Sequence, residues 1–197
     1  MSGDKNTGED LLDGVGESDI FDVDRLSLTP SQHQRLKNAV NSDPLTEMKQ
    51  AGKRYLIVGR GSGEEGDRRR RVAEWFDSRP NAVGIRLEDL DLDGDEIDFW
   101  APAFEILAKQ ATWIVGILED FDGGHVWELG YLYHLQTEFR DILWILKRVY
   151  TSEEKMRAKY DNGMAASHLK VLENTVQERV LEWTDGEELR RIVREVP

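Results

Sequence analysis

Five short apolar runs, spaced along the chain from Lys53 onward, limit the folds open to it more than any other feature. They are RYLIVG, NAVGIRL, TWIVGIL, DILWILKRV and ERVLEW. Each is rich in β-branched and aliphatic residues and lacks the clean polar alternation of a strand with one wet face. Strands of that kind are buried on both sides, which implies a parallel sheet covered by helices. Between the runs lie segments with helical spacing: DRRRRVAEWFDSR, IDFWAPAFEILAKQA, GHVWELGYLYHLQTEF, SEEKMRAKYDNGMAASHLKVLENT (interrupted at Gly163) and DGEELRRIVREV, with Asp185 as its cap. Five strand–helix units predict a three-layer, doubly wound α/β domain, most simply with the flavodoxin-like strand order 2-1-3-4-5.

Ahead of this domain, residues 1–27 read as an acidic, disordered tail, with eight acids and one lysine in the first 24 positions. Residues 28–52 read as a helical extension, with Thr29 or Ser31 as cap, Pro30 in a first turn and Gly52 closing the last helical turn. The domain proper is assigned to residues 53–197.

Composition removes several classes of function. The chain contains no cysteine, so disulfides, thiolate metal sites and cysteine nucleophiles are absent. The formal net charge of −13 opposes nucleic-acid phosphates unless basic residues cluster, and it suits a salt-rich, halophilic cytoplasm. No run has the length of a membrane span, and the N-terminal segment does not read as a secretory signal, so a cytoplasmic location is expected. The four histidines lack metal-ligand spacing. LEDLDLDGDEIDF superficially resembles a calcium loop, but position twelve falls on Trp100. Neither a metal nor a cofactor is expected, and the partner is expected to be a small molecule rather than nucleic acid or membrane.

With strand order 2-1-3-4-5, ligands bind where the winding reverses, between strands 1 and 3. The loops there are GRGSGEEG and EDFDGGH. Gly59, Arg60, Gly61 and Ser62 belong to the first, whose amides can cradle a phosphate or ribose or simply supply a flexible turn. Arg68 to Arg71 open the following helix, against its macrodipole. In the second loop and the helix after it, Glu128 falls in the first turn. There the dipole would depress its pKa and suit it to nucleophilic or cation-stabilising work, or make it a helix-capping acid. Gly123 and Gly124 permit close backbone approach, Gly130 permits close packing, and Trp127 with Tyr131 forms an apolar wall on one face.

The order apolar strand, then D-x-D-G-G-x-x-x-E-L-G-Y over Asp120 to Tyr131, resembles the nucleoside 2-deoxyribosyltransferases and the related TIR-like domains. Both are flavodoxin-like and cleave N-glycosidic bonds. The resemblance implies that Glu128 is the nucleophile or oxocarbenium stabiliser. It implies that Asp120 and Asp122 hold sugar hydroxyls or shape the loop, and that Gly123 and Gly124 make the close-approach turn. His125 stands where the transferases carry a small residue, and Asp98 and Glu105 stand in for substrate-binding acids. The substrate implied is a nucleoside, a nucleotide or an NAD-like molecule, and the family precedent extends to a homo-oligomer. The alternative reading is a non-catalytic nucleotide-sensing or interaction module of the same fold.

Overall fold

A computed structural model describes residues 38, 43–90, 100–135, 137–161 and 163–197. The acidic tail, most of the helical extension, the acidic loop after Leu90 and Asp98 lie outside the described residues. Strands β1 (Lys53–Val58), β2 (Ala82–Ile85), β3 (Trp113–Leu118), β4 (Leu143–Arg148) and β5 (Val180–Trp183) form one sheet in the order β2-β1-β3-β4-β5. Every neighbouring pair is parallel. This is the flavodoxin-like order read from the sequence.

The sheet separates two cores, and the two-residue period of a strand determines which side chain feeds which. Leu56, Val58, Ile114, Leu118, Leu143 and Ile145 point to one face. There they meet helices α1 (Asp43–Gln50), α3 (Trp100–Gln110), α4 (Gly124–Leu135), α5 (Thr137–Ile142) and α7 (Gly163–Val176). The intervening Tyr55, Ile57, Val115, Ile117 and Leu146 point the other way, against α2 (Gly63–Asp77) and α8 (Gly186–Val193). Because successive strand residues serve opposite cores, the runs are apolar throughout. Helix α6 (Glu153–Tyr160) buries none of its residues fully and lies across the carboxyl edge of the sheet, where its Lys159 meets Asp120. Among the described residues no helix is long and apolar enough to cross a membrane.

Two boundaries differ from the sequence reading. Helix α2 begins at Gly63 rather than Asp67, so Gly-Glu-Glu-Gly is its first turn and not loop. Glu64 and Glu65 therefore occupy the positive end of the helix, and Arg68 to Arg71 lie beyond it, which relieves the expected conflict with the dipole. The segment read as one helix over 124–139 is assigned as α4 and α5, the latter running to Ile142. Asp185 caps α8 as expected, its carboxylate accepting from the amides of Glu187 and Glu188.

Helix α2 lies on β2 so closely that a Cβ at Gly84 would stand 2.6 Å from the carbonyl oxygen of Ala73. Backbone on both sides leaves nothing to yield. Gly84→Ala is expected to destabilise the domain by about 1–3 kcal/mol in urea unfolding, the range of an overpacked core. Gly186→Ala, whose Cβ meets nothing within 4 Å, should change stability little in the same measurement.

Candidate functional site

The carboxyl ends of β1 and β3 face each other through the register Val58 to Gly116, and the loops beyond them bound the expected crevice. The first of these loops is occupied from beneath by an arginine. Arg69, 3% exposed, projects from α2; its guanidinium donates to the carbonyl oxygen of Gly59 at 2.7 Å and pairs with the carboxylate of Glu88, which follows β2. A Cβ at Gly59 would stand 3.0 Å from the Arg69 Cδ, and one at Gly61 would stand 2.8 Å from a Glu88 carboxylate oxygen. Both glycines thus clear a path for the Arg69–Glu88 pair. Gly61 and Ser62 themselves remain exposed.

Glu128 stands opposite this pair. It is the fifth residue of α4, past the first turn, and no described residue gives its carboxylate a hydrogen bond, so it does not cap the helix. The expectation of a depressed pKa is reversed as well. Burial, with no donor to offset it, pushes the carboxyl up to about 7; the nearby Arg69 cation pulls it down and Glu88 pushes it further up. Part of the side chain still reaches solvent, but protein is packed densely around the carboxylate, and that local packing controls its titration.

On the other side of the crevice is a second group of charges. Glu119 and Asp120, 3% and 2% exposed, end β3. Arg68 grips Glu119 with two hydrogen bonds of 2.8 Å, and Arg148 adds a third of the same length. Asp120 takes Arg60 at 2.9 Å and Lys159 at 3.2 Å. Burial works against the Asp120 charge, but the Asp122 amide, Lys159 and His125 more than offset it, and the carboxyl sits below its ordinary range. The hydroxyl of Tyr150 donates to the Glu119 carbonyl at 2.9 Å, and that of Tyr160 reaches the Leu118 and Arg148 carbonyls at 3.0 and 2.7 Å, tying the ends of β3 and β4 together.

The rest of the Asp120–Tyr131 motif divides between support and surface. Gly123 has a φ of 111°, a conformation a side chain would strain. His125 is buried, its Nε2 lies 3.1 Å from the Asp120 carbonyl oxygen, and desolvation holds its pKa below the ordinary value. Its Nδ1 is buried with no hydrogen-bond partner among the described residues. Asp122 and Gly124 are exposed. The apolar wall expected of Trp127 and Tyr131 does not form: Trp127 is 78% exposed, whereas Tyr131 donates its hydroxyl to Glu105 and packs on Phe104. Gly130 meets nothing within 4 Å, so it admits no close neighbour. Among the described residues no three acids or histidines cluster as a metal site would require.

The reading from sequence brought Gly59, Arg60, Gly61, Asp120 and Glu128 to one edge, as the fold does, named Arg69 only within the run Arg68 to Arg71, and missed Glu88 and Glu119. For Arg69 a signal existed. With Val72, Ala73 and Phe76 it completes the spacing i, i+3, i+4, i+7 of a buried helix face. Glu88 and Glu119 had no such mark.

A carboxyl at about 7 in the folded chain and near 4.5 when unfolded binds more protons folded than unfolded. Its contribution to stability is full below about pH 4.5 and is lost as pH rises through about 7. Glu128→Gln should therefore leave the melting temperature unchanged at pH 4 and raise it at pH 8, by about 1–3 kcal/mol of stability. Glu88→Gln removes a repelling charge and should lower the Glu128 pKa, read by carboxyl carbon chemical shifts. An unchanged titration would mean that the two carboxylates do not sense each other.

A family model, Family of unknown function (DUF8170), matches residues 21–197. No curated protein and no solved structure matches the chain. Extending over all but the first twenty residues, the family match makes this chain a member of the DUF8170 family.

Proposed function

We propose that this chain binds a nucleoside or nucleotide in the crevice between β1 and β3 and cleaves or transfers at its N-glycosidic bond, with Glu128 facing the anomeric carbon. The observation that carries this reading is the state of the Glu128 carboxyl. It stands beside Arg69 and Glu88, has no hydrogen bond from any described residue, and is held near 7 by burial. An acid that neither caps a helix nor closes an ion pair has no evident structural duty, and a carboxyl shifted this strongly by burial beside a charge partner is a candidate functional group. The resemblance of Asp120 to Tyr131 to the deoxyribosyltransferase and TIR-like motif assigns it the matching role.

In this reading the ionised Glu128 oxygen attacks the anomeric carbon as the carbon–nitrogen bond breaks. The base leaves with the bonding pair and acquires a proton. Water or a second base then displaces the carboxylate and restores the enzyme. Burial that destabilises the lone carboxylate also makes it a stronger partner for the positive charge developing on the sugar ring, so stabilisation grows toward the transition state. Arg69 keeps a fraction of the carboxyl ionised at neutral pH. A cytoplasmic setting belongs to the same reading.

A second reading, a nucleotide-sensing module without turnover, draws on a different observation: Arg60 and Asp120 bind each other, and His125 is buried beside them. Incubation in high salt with nucleosides, deoxynucleosides, nucleotides and NAD, followed by chromatography of the free base, separates the two. Base release by the wild-type chain, abolished in Glu128→Gln and rising with pH through about 7, is the outcome expected of the catalytic reading. Activity falling through that range would make Glu128 a general acid instead. No release, with a thermal shift for one nucleotide in both proteins, would establish the sensor.

A further inference from the structure

Away from Glu128, at the carboxyl ends of β4 and β5, a cavity of about 570 Å³ opens between α2 and α8. Four arginines line it, Arg68, Arg71, Arg148 and Arg190, together with Trp75 and Trp183. In a chain with a formal charge of −13, such a gathering of cations needs a physical reason. Ion pairing supplies only part of one. Arg68 and Arg148 share the carboxylate of Glu119, Arg68 also pairing with Glu64 at 3.5 Å and Glu65 at 3.8 Å, and the Nε of Arg148 is buried with no hydrogen-bond partner among the described residues. Among the described residues Arg71 donates only from its Nε, to the Asp67 carbonyl oxygen at 3.3 Å. Arg190 has neither an ion pair nor a hydrogen bond with any described residue. Of the two acids at the rim, Asp185 points an oxygen to the amides of α8 as its cap, and Glu187 is exposed.

We propose that this cavity is a binding site for a phosphate-bearing small molecule, separate from the Glu128 crevice. Arg71 and Arg190 would donate directly to the phosphate oxygens, in the forked geometry that favours arginine at such anions. Arg68 and Arg148, fixed by their carboxylate partners, complete the lining. The tryptophans provide walls of low dielectric that strengthen the attraction of Arg71 and Arg190 for an anion, and half-buried Trp75 offers an apolar surface to a planar group. The volume is ordinary for a small-molecule site and accommodates a nucleotide as well as inorganic phosphate or pyrophosphate.

The test is calorimetric titration of the full chain with inorganic phosphate, pyrophosphate and adenosine monophosphate at low and high salt, with Arg71→Ala/Arg190→Ala alongside. Neither substituted side chain holds the fold together. Pyrophosphate should bind the wild type, bind more weakly as salt rises, and lose about tenfold in affinity for each arginine removed. Tighter binding of the nucleotide than of phosphate, with quenching of tryptophan fluorescence, would identify a nucleotide; equal binding without quenching would identify the bare anion. Glu128→Gln should bind pyrophosphate as the wild type does, so failure of the Glu128 mechanism leaves this site standing. Equal pyrophosphate affinity in the double variant and the wild type would overturn the proposal, as would no heat of binding at millimolar pyrophosphate in low salt.

Discussion

Two buried acids just past the end of the central strand hold the carboxyl edge of the sheet together. Glu119 and Asp120 draw in Arg60 from the loop after β1, Arg68 from α2, Arg148 from β4 and Lys159 from α6. Buried charges carry a desolvation penalty of several kcal/mol each, so the network need not be more stabilising than apolar residues of the same shape. What it enforces is position. Removing cations would leave Glu119 or Asp120 charged and buried with fewer partners, a state costlier than the intact network. The loops of the crevice are therefore fixed relative to β3, a condition for any site that must hold reacting atoms within a fraction of an ångström.

In the segment that follows β3, two carboxyl groups occupy opposite environments. Asp120 is surrounded by donors and cations, which keep it ionised below its ordinary range. Glu128 is buried without donors, near Arg69 and Glu88, and is held near neutrality. Environments that drive two acids apart in this way assign them different work, one permanently charged and structural, the other able to change its protonation at physiological pH. Arg69 lies between the structural and the chemical parts. It locks the loop after β1 through the Gly59 carbonyl and at the same time lowers the pKa of Glu128.

Local chemistry was legible in the sequence, and long-range pairing was not. RYLIVG and TWIVGIL declare themselves as doubly buried strands because both of their faces are apolar, and the order of the sheet follows from the simplest winding of five such units. Gly-Glu-Glu-Gly reads as loop on propensity, yet it forms the first turn of α2, where acids suit the dipole and Gly66 fits against Gly61 with no room for a Cβ. Glu128 lies one residue past the first turn it was assigned to, and the sequence did not show the burial that raises its pKa instead of lowering it. Glu119 carried no mark, because nothing near it in sequence announces that its partners stand 51 residues before it and 29 after it.

Those same separations bear on time as well as position. The contacts that clamp the end of β3 join residues 29, 39, 51 and 60 positions apart, so each must wait until two elements distant in sequence have met. A network assembled that late contributes little to the speed of folding, which is governed by earlier and more local contacts. Its influence falls on the reverse step, because interactions absent from the transition state slow unfolding almost without affecting folding. The buried acids of β3 thus act as a latch: once closed, they lengthen the lifetime of the native edge, and with it the interval over which both arginine-lined cavity and carboxylate crevice keep their shape.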